Sequence, residues 1–294
     1  MITRVRLGRS RTVVLWNEGE NPAGSQKYHA ALALVRAMRD GRRSITVGTC
    51  GNFGIALAHA VAGTDVRAVV ITPVTVPHAV RAQISALGGE VVVSGETYED
   101  AVEFSRKLAR QSRDTADGNV TGPWASVLKS SFVKRAIRAL SHPLLARPAR
   151  LWVPTGNGTT LASCFEALRQ LGREDVELHA VSSTRNNSIT AAFALGNDHR
   201  PLDAALLRVS SVNEPLCNWN ALDGARALAA IASTRGGVLE LTDDELLAGE
   251  RVLTRLGISA TPAGSAGAIG ALHCRSDSRL VDVVLVTACH HSSR

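Results

Sequence analysis

Short apolar runs alternate with longer amphipathic segments along most of the chain, and the connections between them are brief. Such apolar runs are typical of buried β-strands, and apolar residues at helical spacing are typical of packed helices. The predicted strands are Thr12–Trp16, Ile45–Val47, Val66–Thr72, Glu90–Val93, Leu151–Pro154, Val176–Val181 and Leu280–Thr287. The predicted helices are Gln26–Met38, Ile55–Ala62, His78–Leu87, Tyr98–Arg110, Leu128–Leu140, Leu161–Leu171, Ala225–Ser233, Asp243–Leu256 and Ala263–His273. Strands that alternate with helices over short connections predict an α/β fold with parallel sheets.

One break in this pattern divides the chain near its middle. The polar, loop-like residues 111–126 precede the helix Leu128–Leu140, and Pro143 and Pro148 follow it. A chain of 294 residues is long enough for one large domain or for two modest domains with proper cores. The two prolines therefore mark a candidate crossing between domains.

Composition narrows the possible function classes. The chain is 45% apolar and 20% charged, which is an ordinary balance for a soluble protein. Its net charge is +7, but the basic residues are scattered, and the basic stretch Arg4–Arg11 contains no aromatic residue, so no nucleic-acid partner is expected. The five cysteines form no C-x-x-C pair and indicate reduced thiols. Since no 18-residue apolar span exists either, we expect a cytoplasmic protein without a membrane partner.

The turn before the first predicted helix contains the strongest candidate for chemistry. Pro22 and Gly24 predict a sharp bend, and Ser25 is expected to cap the helix that follows. Lys27 falls in the first turn of this apolar helix, where burial and the positive end of the helix dipole both disfavour the charged ammonium. A lysine in this position can be a neutral amine at neutral pH, as Schiff-base chemistry requires. The alternative is a structural lysine whose stem packs on the helix while its head reaches water.

Two glycine-containing turns each follow an apolar strand and open a helix. One is Gly48–Gly54 and the other is Gly156–Thr160. Backbone N–H groups at a helix N-terminus form a ready anion site. The second turn is the better candidate, because Asn157, Thr159 and Thr160 add side-chain donors. It contains neither a Walker A motif nor a G-x-G-x-x-G fingerprint, and glycines of this kind also serve packing alone.

Together these stretches resemble the fold-type II pyridoxal-phosphate enzymes, the family of tryptophan synthase β, cysteine synthase, threonine dehydratase and threonine synthase. In that family Asn-Pro-x-Gly-Ser-x-Lys carries the Schiff-base lysine, which would be Lys27. A Ser-Gly-Asn loop contacts the substrate carboxylate and the cofactor ring, and here it is Cys50-Gly51-Asn52. A glycine-rich turn holds the cofactor phosphate, and here it is Gly156–Thr160. The Pro-Thr-Gly-Asn-Gly sequence of that turn and the strand-end Thr287 are most similar to threonine synthase.

The resemblance implies an α/β fold of two open parallel-sheet domains with helices on both faces and pyridoxal 5'-phosphate in the cleft between them. The larger, cofactor-binding domain would be residues 1–40 with 141–294, and the smaller, mobile domain would be residues 41–140. The implied cofactor-binding residues are Lys27, Asn52, Gly156, Asn157, Gly158, Thr159, Thr160 and Thr287. The implied substrate-binding residues are Thr49, Cys50, Gly51 and Phe53. The resemblance also implies a homodimer that acts on a small amino acid.

The implied reaction is an elimination or replacement at the β or γ carbon of an amino acid. Lys27 would form the Schiff base and act as general base for the Cα proton. Thr287 would face the pyridine nitrogen, where a neutral hydroxyl cannot hold a proton as a carboxylate would, and this suits elimination and replacement more than transamination.

Two departures from the family pattern concern the substrate. Phe53 would narrow the substrate pocket and make it apolar, and Ala125 aligns with an arginine that binds the substrate phosphate in threonine synthases. We therefore expect a substrate other than phosphohomoserine. The alternatives are a serine/threonine dehydratase-type deaminase and a catalytically silent homologue that binds cofactor or amino acid.

Two cysteine-containing features have simpler interpretations. The triplet Cys289-His290-His291 could suggest a metal site, but three ligands so close together at the end of a strand rarely converge on one ion. No metal is therefore expected. Cys50 could be a reactive thiol or a wall of the substrate pocket, and we favour the wall because the sequence shows no paired base.

Overall fold

The computed structural model of the chain describes residues 1–8, 11–38, 41–196, 198–275 and 277–290. Its strands are β1 (Ile2–Leu7), β2 (Arg11–Asn17), β3 (Ser44–Gly48), β4 (Arg67–Thr72), β5 (Glu90–Val93), β6 (Thr115–Asp117), β7 (Ala149–Pro154), β8 (Val176–Ser183), β9 (Gly237–Leu241) and β10 (Val281–Val286). Its α-helices are α1 (Lys27–Ala37), α2 (Asn52–Val61), α3 (His78–Ala86), α4 (Tyr98–Gln111), α5 (Ala125–Leu140), α6 (Thr159–Leu171), α7 (Ser188–Ala194), α8 (Gly224–Ser233), α9 (Asp243–Thr254) and α10 (Ala266–His273). This alternation of strands and helices confirms the predicted α/β class.

The chain folds into two compact units. The larger unit comprises Met1–Glu20 and Val133–Arg294, and the smaller unit comprises Asn21–Phe132. These bounds differ from the predicted domain limits at residues 40 and 140. Helix α1 belongs to the smaller unit because Leu34 is buried in the same apolar cluster as α2. The end of α5 belongs to the larger unit because Leu140 is buried in that unit's core.

The larger unit contains a six-stranded sheet with the order β1-β2-β10-β7-β8-β9. Strand β1 runs antiparallel to β2, and the other neighbouring pairs are parallel. Since alternate residues of a strand point to opposite faces, Leu151 and Val153 of β7 lie in one apolar cluster with residues of α6 and α8. Trp152 lies in a second cluster with residues of α9 and α10. Helices therefore cover both faces of this sheet.

The smaller unit contains a four-stranded, wholly parallel sheet with the order β5-β4-β3-β6. On one face, Ile45 and Val47 of β3 are buried with residues of α1 and α2. On the other face, α4 lies so close that a Cβ atom at Gly48 would be 2.3 Å from the backbone nitrogen of Val102. These two open sheets with helices on both faces confirm the predicted fold class.

Four elements were not predicted from the sequence, namely β1, β6, β9 and α7. The three strands are all edge strands. Strand β6 has only three residues, and β1 and β9 lack the continuous buried run that identifies the central strands. Helix α7 has seven residues, which is too short for a clear helical period. Pairing and packing with the rest of the fold, more than their own sequence pattern, define these elements.

Candidate active site

The turn that precedes α1 is folded by the side chain of Asn21. Its Oδ1 accepts hydrogen bonds from the backbone N–H groups of Ala23 (3.0 Å) and Ser25 (3.4 Å), and its Nδ2 donates to the carbonyl oxygen of Ser25 (2.7 Å). Helix α1 begins at Lys27 with Gln26 at the N-cap position, so the prediction that Ser25 caps the helix is wrong. The Oγ atom of Ser25 is buried and has no hydrogen-bond partner within the described part of the chain.

Lys27 is the first residue of α1 and is partly buried. Burial lowers the pKa of its amine below the ordinary lysine value. Its Nζ atom lies 5.5 Å from the centroid of the Phe132 ring, whose face attracts a cation weakly. No carboxylate among the described residues forms an ion pair with Nζ. Because burial opposes the charge and no counter-ion supports it, this amine is a better nucleophile than a surface lysine.

The segment Thr49–Phe53 joins β3 to α2 through a tight turn. Gly51 has a φ angle of 145°, and its N–H donates to Thr49 Oγ1 at 3.2 Å. This turn lets α2 begin at Asn52, and the side chains of Asn52 and Phe53 in its first turn are partly exposed. Phe53 also packs against the apolar cluster of the smaller unit. The residues predicted to bind the substrate therefore share one turn at the carboxyl end of β3.

Asn119, a residue that the sequence analysis missed, holds the start of this segment. Its Oδ1 accepts a hydrogen bond from the backbone N–H of Gly48 at 3.0 Å. Its Nδ2 donates to Asp117 Oδ1 at 2.6 Å and to Ser105 Oγ at 2.7 Å. Asn119 follows the unpredicted edge strand β6, so no recognised element pointed to it.

The Gly156–Thr160 turn joins β7 to α6 in the larger unit. Gly158 has a φ angle of 80° immediately before α6, a conformation that favours glycine. A Cβ atom at Gly156 would lie 2.3 Å from the carbonyl oxygen of Pro215. The carbonyl oxygen of Gly156 accepts a hydrogen bond from Asn187 Nδ2 at 2.9 Å. The turn is thus fixed in place, and the first N–H groups of α6 lack intrahelical partners, as at every helix N-terminus.

The polar side chains of this turn are engaged within the protein. Thr159 Oγ1 donates to Asp223 Oδ2 at 2.7 Å, so its single hydroxyl proton is committed to a carboxylate. Asn157 Oδ1 accepts from Asn218 Nδ2 (2.8 Å) and from the backbone N–H of Leu222 (3.3 Å). In the structure the hydroxyl proton of Thr159 is therefore not available to an anion. What the turn offers an anion is chiefly its backbone N–H groups.

Asn187 and Asp223 support the turn from later parts of the chain, and the sequence analysis did not identify them. Both occupy the position before a helix, Asn187 before α7 and Asp223 before α8. The Asp223 side chain is buried and forms an ion pair with Arg226 at 3.2 Å. An Asx residue before a helix is visible in a sequence, but it points only to helix capping.

Thr287 follows β10 at the same edge of the sheet as the Gly156–Thr160 turn, because β10 and β7 are parallel neighbours. Its backbone N–H donates to the carbonyl oxygen of Gly264 at 3.2 Å, and the residue is partly exposed. A Cβ atom at Gly264 would lie 2.6 Å from the carbonyl oxygen of Ala288, so the small residue permits this close approach. The structure thus places Thr287 and the glycine turn on neighbouring strand ends.

The described residues offer neither a metal site nor a membrane-spanning helix. They contain no cluster of three or more His, Cys, Asp or Glu side chains that could hold a metal ion. His291 of the Cys289-His290-His291 triplet lies outside the described residues. Within the same residues, no helix combines the length and apolar character that a membrane crossing needs.

Comparison with known proteins shows what the chain as a whole is similar to. The sequence matches the family described as "Pyridoxal-phosphate dependent enzyme" over residues 4–289. It is 25% identical over 186 residues to the L-serine dehydratase/L-threonine deaminase of Mus musculus, which covers 63% of this chain and 56% of that protein. It is 25% identical over 262 residues to the threonine synthase of Halalkalibacterium halodurans, which covers 86% of this chain and 69% of that protein. The solved structure of a fungal L-serine ammonia-lyase from Rhizomucor miehei has a TM-score of 0.79 at 16% identity and covers 99% of this chain and 95% of that chain, a likeness of fold alone.

Proposed function

Since this chain belongs to the family of pyridoxal-phosphate dependent enzymes, we propose that it catalyses elimination or replacement at the β or γ carbon of a small amino acid. The observation that carries the proposal is Lys27, a partly buried lysine with a lowered pKa at the first position of α1. It ends the turn Asn21–Lys27, whose sequence fits the lysine motif of the family.

Lys27 fits the attachment of the cofactor aldehyde. A neutral amine without a counter-ion is the form that attacks a carbonyl carbon. Ser25, two residues earlier, has a buried hydroxyl that lacks a partner among the described residues. Buried polar groups in proteins almost always find a hydrogen-bond partner, so an unsatisfied one beside the reactive lysine fits a site that a ligand completes.

The Gly156–Thr160 turn fits the cofactor phosphate. It combines a helix N-terminus, whose partial positive charge favours an anion, with glycines that let the anion approach the backbone. The engagement of Thr159 with Asp223 leaves the backbone N–H groups as the main donors. We propose that these groups hold the phosphate, and that Thr159 serves to position the turn.

The proposed chemistry assigns one task to each group. When bound, pyridoxal phosphate withdraws electrons from the substrate Cα and so makes its proton acidic. Lys27 Nζ accepts that proton. Asn52 would contact the cofactor ring, and Thr49–Gly51 would bind the substrate carboxylate. Thr287 would offer the pyridine nitrogen a neutral hydroxyl, which favours loss of a leaving group over transamination.

Phosphohomoserine is not the proposed substrate. Ala125, at the start of α5, aligns with the phosphate-binding arginine of threonine synthases. A desolvated phosphate that lacks such a charge-assisted partner loses roughly 2–5 kcal/mol of binding free energy. Phe53, in the first turn of α2, adds an apolar ring beside the segment proposed to bind the substrate. A less charged substrate fits these residues better.

A dehydratase-type deaminase of serine or threonine is the second candidate. The relative from Mus musculus carries that name, and at 25% identity it supports this reaction no less than the threonine synthase does. Both reactions begin with removal of the Cα proton, so we propose the same task for Lys27 in each.

A substrate panel tests the proposal. The purified holoenzyme is offered serine, phosphoserine, threonine and O-phosphohomoserine, each with and without an added thiol nucleophile, and release of a 2-oxo acid or of the leaving group is measured. We expect turnover of at least one substrate other than O-phosphohomoserine and a kcat/KM for O-phosphohomoserine below about 10⁴ M⁻¹s⁻¹. Absence of turnover across the panel would favour a silent binding protein, and a higher value for O-phosphohomoserine would refute the substrate assignment.

A further inference from the structure

A cavity lies within the smaller unit, beside the edge strand β6. Its volume is about 370 Å³, at the lower end of the range for small-molecule sites. The lining residues are Arg42, Arg106, Ala109, Arg110, Thr115, Asp117, Thr121, Gly122 and Pro123. Neither Lys27 nor any residue of the segment Thr49–Phe53 lines it. The cavity is therefore separate from the residues to which the proposed reaction is assigned.

The lining of this cavity is strongly basic. Arg106 and Arg110 stand one helical turn apart on α4 and so share a face of the helix. Arg42, from the segment before β3, adds a third guanidinium group. Asp117 is the one acidic lining residue, so the side chains of the cavity carry a net charge of +2.

The protein itself does little to neutralise the two arginines of α4. Neither Arg106 nor Arg110 forms an ion pair with an acid in the described part of the chain, and Arg106 donates a hydrogen bond to the neutral hydroxyl of Thr121. The carboxylate of Asp117 accepts instead from Asn119, through the backbone N–H at 2.9 Å and through Nδ2 at 2.6 Å. Like charges at this helical spacing repel each other. An anion between them removes that repulsion.

We propose that this cavity binds a small dianion, such as a phosphate monoester or a dicarboxylate. A dianion matches the two positive charges of Arg106 and Arg110, which form no ion pair within the described part of the chain. Guanidinium groups bind phosphate and carboxylate oxygens through paired N–H donors. The hydroxyl of Thr121, which accepts from Arg106, adds a neutral donor at the cavity wall, whereas the hydroxyl of Thr115 is bonded to Ser44 Oγ.

The cavity is connected to the segment that is proposed to bind the substrate. Asp117, in its wall, accepts from Asn119, and Asn119 in turn accepts from the backbone N–H of Gly48, immediately before Thr49. Two consecutive hydrogen bonds, between Asp117 and Asn119 and between Asn119 and Gly48, thus connect the cavity wall to the start of this segment. The site is placed to act as an effector site, in which an anion stabilises one arrangement of Thr49–Phe53.

Calorimetric titration of the holoenzyme tests the binding site. The probes are glycerol 3-phosphate and succinate, titrated separately at constant ionic strength, so that their affinities distinguish a phosphate monoester from a dicarboxylate. The double variant R106Q/R110Q is compared with the wild type and with R113Q, a matched loss of charge at an exposed arginine that does not line the cavity. Retained cofactor absorbance and cooperative thermal unfolding establish that each variant is folded, and the single variants R106Q and R110Q replace the double variant if it is not.

We expect saturable binding of at least one probe, with a Kd that is essentially unchanged in R113Q and at least tenfold weaker in R106Q/R110Q. The weakening should be present at every salt concentration at which the wild type binds. Two results would overturn the proposal. One is the absence of saturable binding of either probe to the wild type, and the other is equal binding by R106Q/R110Q and the wild type.

Discussion

The turn before α1 and the turn before α6 both contain glycine and open a helix, but they differ in which of their side chains already have partners. In the turn Gly156–Thr160, the side chains of Asn157 and Thr159 already bond to other parts of the larger unit. In the turn Asn21–Lys27, the amine of Lys27 lacks a counter-ion and the hydroxyl of Ser25 lacks a hydrogen-bond partner among the described residues. The turn Gly156–Thr160 presents a fixed backbone, and the turn Asn21–Lys27 presents a reactive amine and an unsatisfied hydroxyl.

This difference suits one turn to binding a phosphate and the other to covalent chemistry. A phosphate needs only a rigid set of N–H donors, and Asn187 and Asp223 supply that rigidity from outside the turn. Covalent chemistry needs an amine that is not already committed to an acid. A substitution in one turn should therefore leave the function proposed for the other turn in place.

The largest expected effect is that of Lys27→Ala. Without its general base the enzyme should lose on the order of 10³-fold or more in turnover of its best substrate. Because the turn Gly156–Thr160 is intact, the variant should still bind the cofactor non-covalently, as measured by equilibrium dialysis. Lys134→Ala, a change at an exposed lysine of α5, is the matched control and should keep both activity and covalent attachment. Normal turnover by Lys27→Ala would contradict the assignment.

The next effect concerns Gly158, at which a side chain meets both backbone strain and close neighbours. Its φ angle is 80°, and a Cβ atom would lie 2.9 Å from the Cβ of Ala227. Gly158→Val should lower the free energy of unfolding by roughly 1–3 kcal/mol and weaken cofactor binding as well.

A matched control for Gly158→Val stands at the other end of the same helix. Gly172 has a φ angle of 65°, but a Cβ atom there would meet nothing within 4 Å. Gly172→Val should lower stability through backbone strain alone and leave the cofactor Kd unchanged. Equal losses of cofactor affinity in the two variants would show that Gly158 acts only through the fold.

A pH dependence follows from the environment of Lys27. Burial lowers its pKa in the folded protein, so between that value and the ordinary lysine pKa of about 10.4 the unfolded chain binds more protons. The free energy of unfolding of the cofactor-free protein should therefore gain a contribution from Lys27 that increases with pH across this window. Denaturant titrations of the wild type and of Lys27→Met should show this rise in the wild type only. Parallel pH profiles would mean that the amine is not desolvated.

The smallest expected effect is that of Ser25→Ala. In the cofactor-free protein the change removes a buried hydroxyl without a partner, so stability should stay the same or increase by about 1 kcal/mol. Ser105→Ala is the control, because Ser105 Oγ is bonded to Asn119 Nδ2 and to the carbonyl of Val102, and it should lose about 1–2 kcal/mol. Chemical denaturation measures both values. A loss of stability in Ser25→Ala as large as that of the control would show that Ser25 has a structural partner.

The sequence predicted the central strands because their apolar runs are continuous and buried. Strands β7 and β10 are examples, and with them the positions of Gly156–Thr160 and Thr287 were predicted at strand ends. The edge strands β6 and β9 were missed because pairing with a neighbour, more than composition, defines them. The turn before α1 was predicted, but the way in which its helix begins was not. Asn21 bonds to the N–H groups of Ala23 and Ser25 within the turn, and no side chain caps the helix at its N-cap residue, Gln26.

The hydrogen bonds that the side chains of Gly156–Thr160 form with distant residues could not be predicted from the turn's own sequence. Thr159 is a potential donor in the sequence, and only the fold shows that Asp223, 64 positions later, accepts its hydrogen bond. Asn119 is likewise 71 positions from Gly48, to which it bonds. Local patterns identify residues that can donate or accept, whereas tertiary contacts decide which of them remain available.

We propose that the cofactor is bound covalently by the Lys27 amine of the turn before α1, which forms no ion pair with an acid among the described residues. Borohydride reduction of the holoenzyme, followed by digestion and mass spectrometry, tests it directly, because the chain contains only four lysines, namely Lys27, Lys107, Lys129 and Lys134. We predict that the reduced cofactor is found on the peptide that contains Lys27 and on no other. Recovery of the label on Lys107, Lys129 or Lys134 would contradict the account.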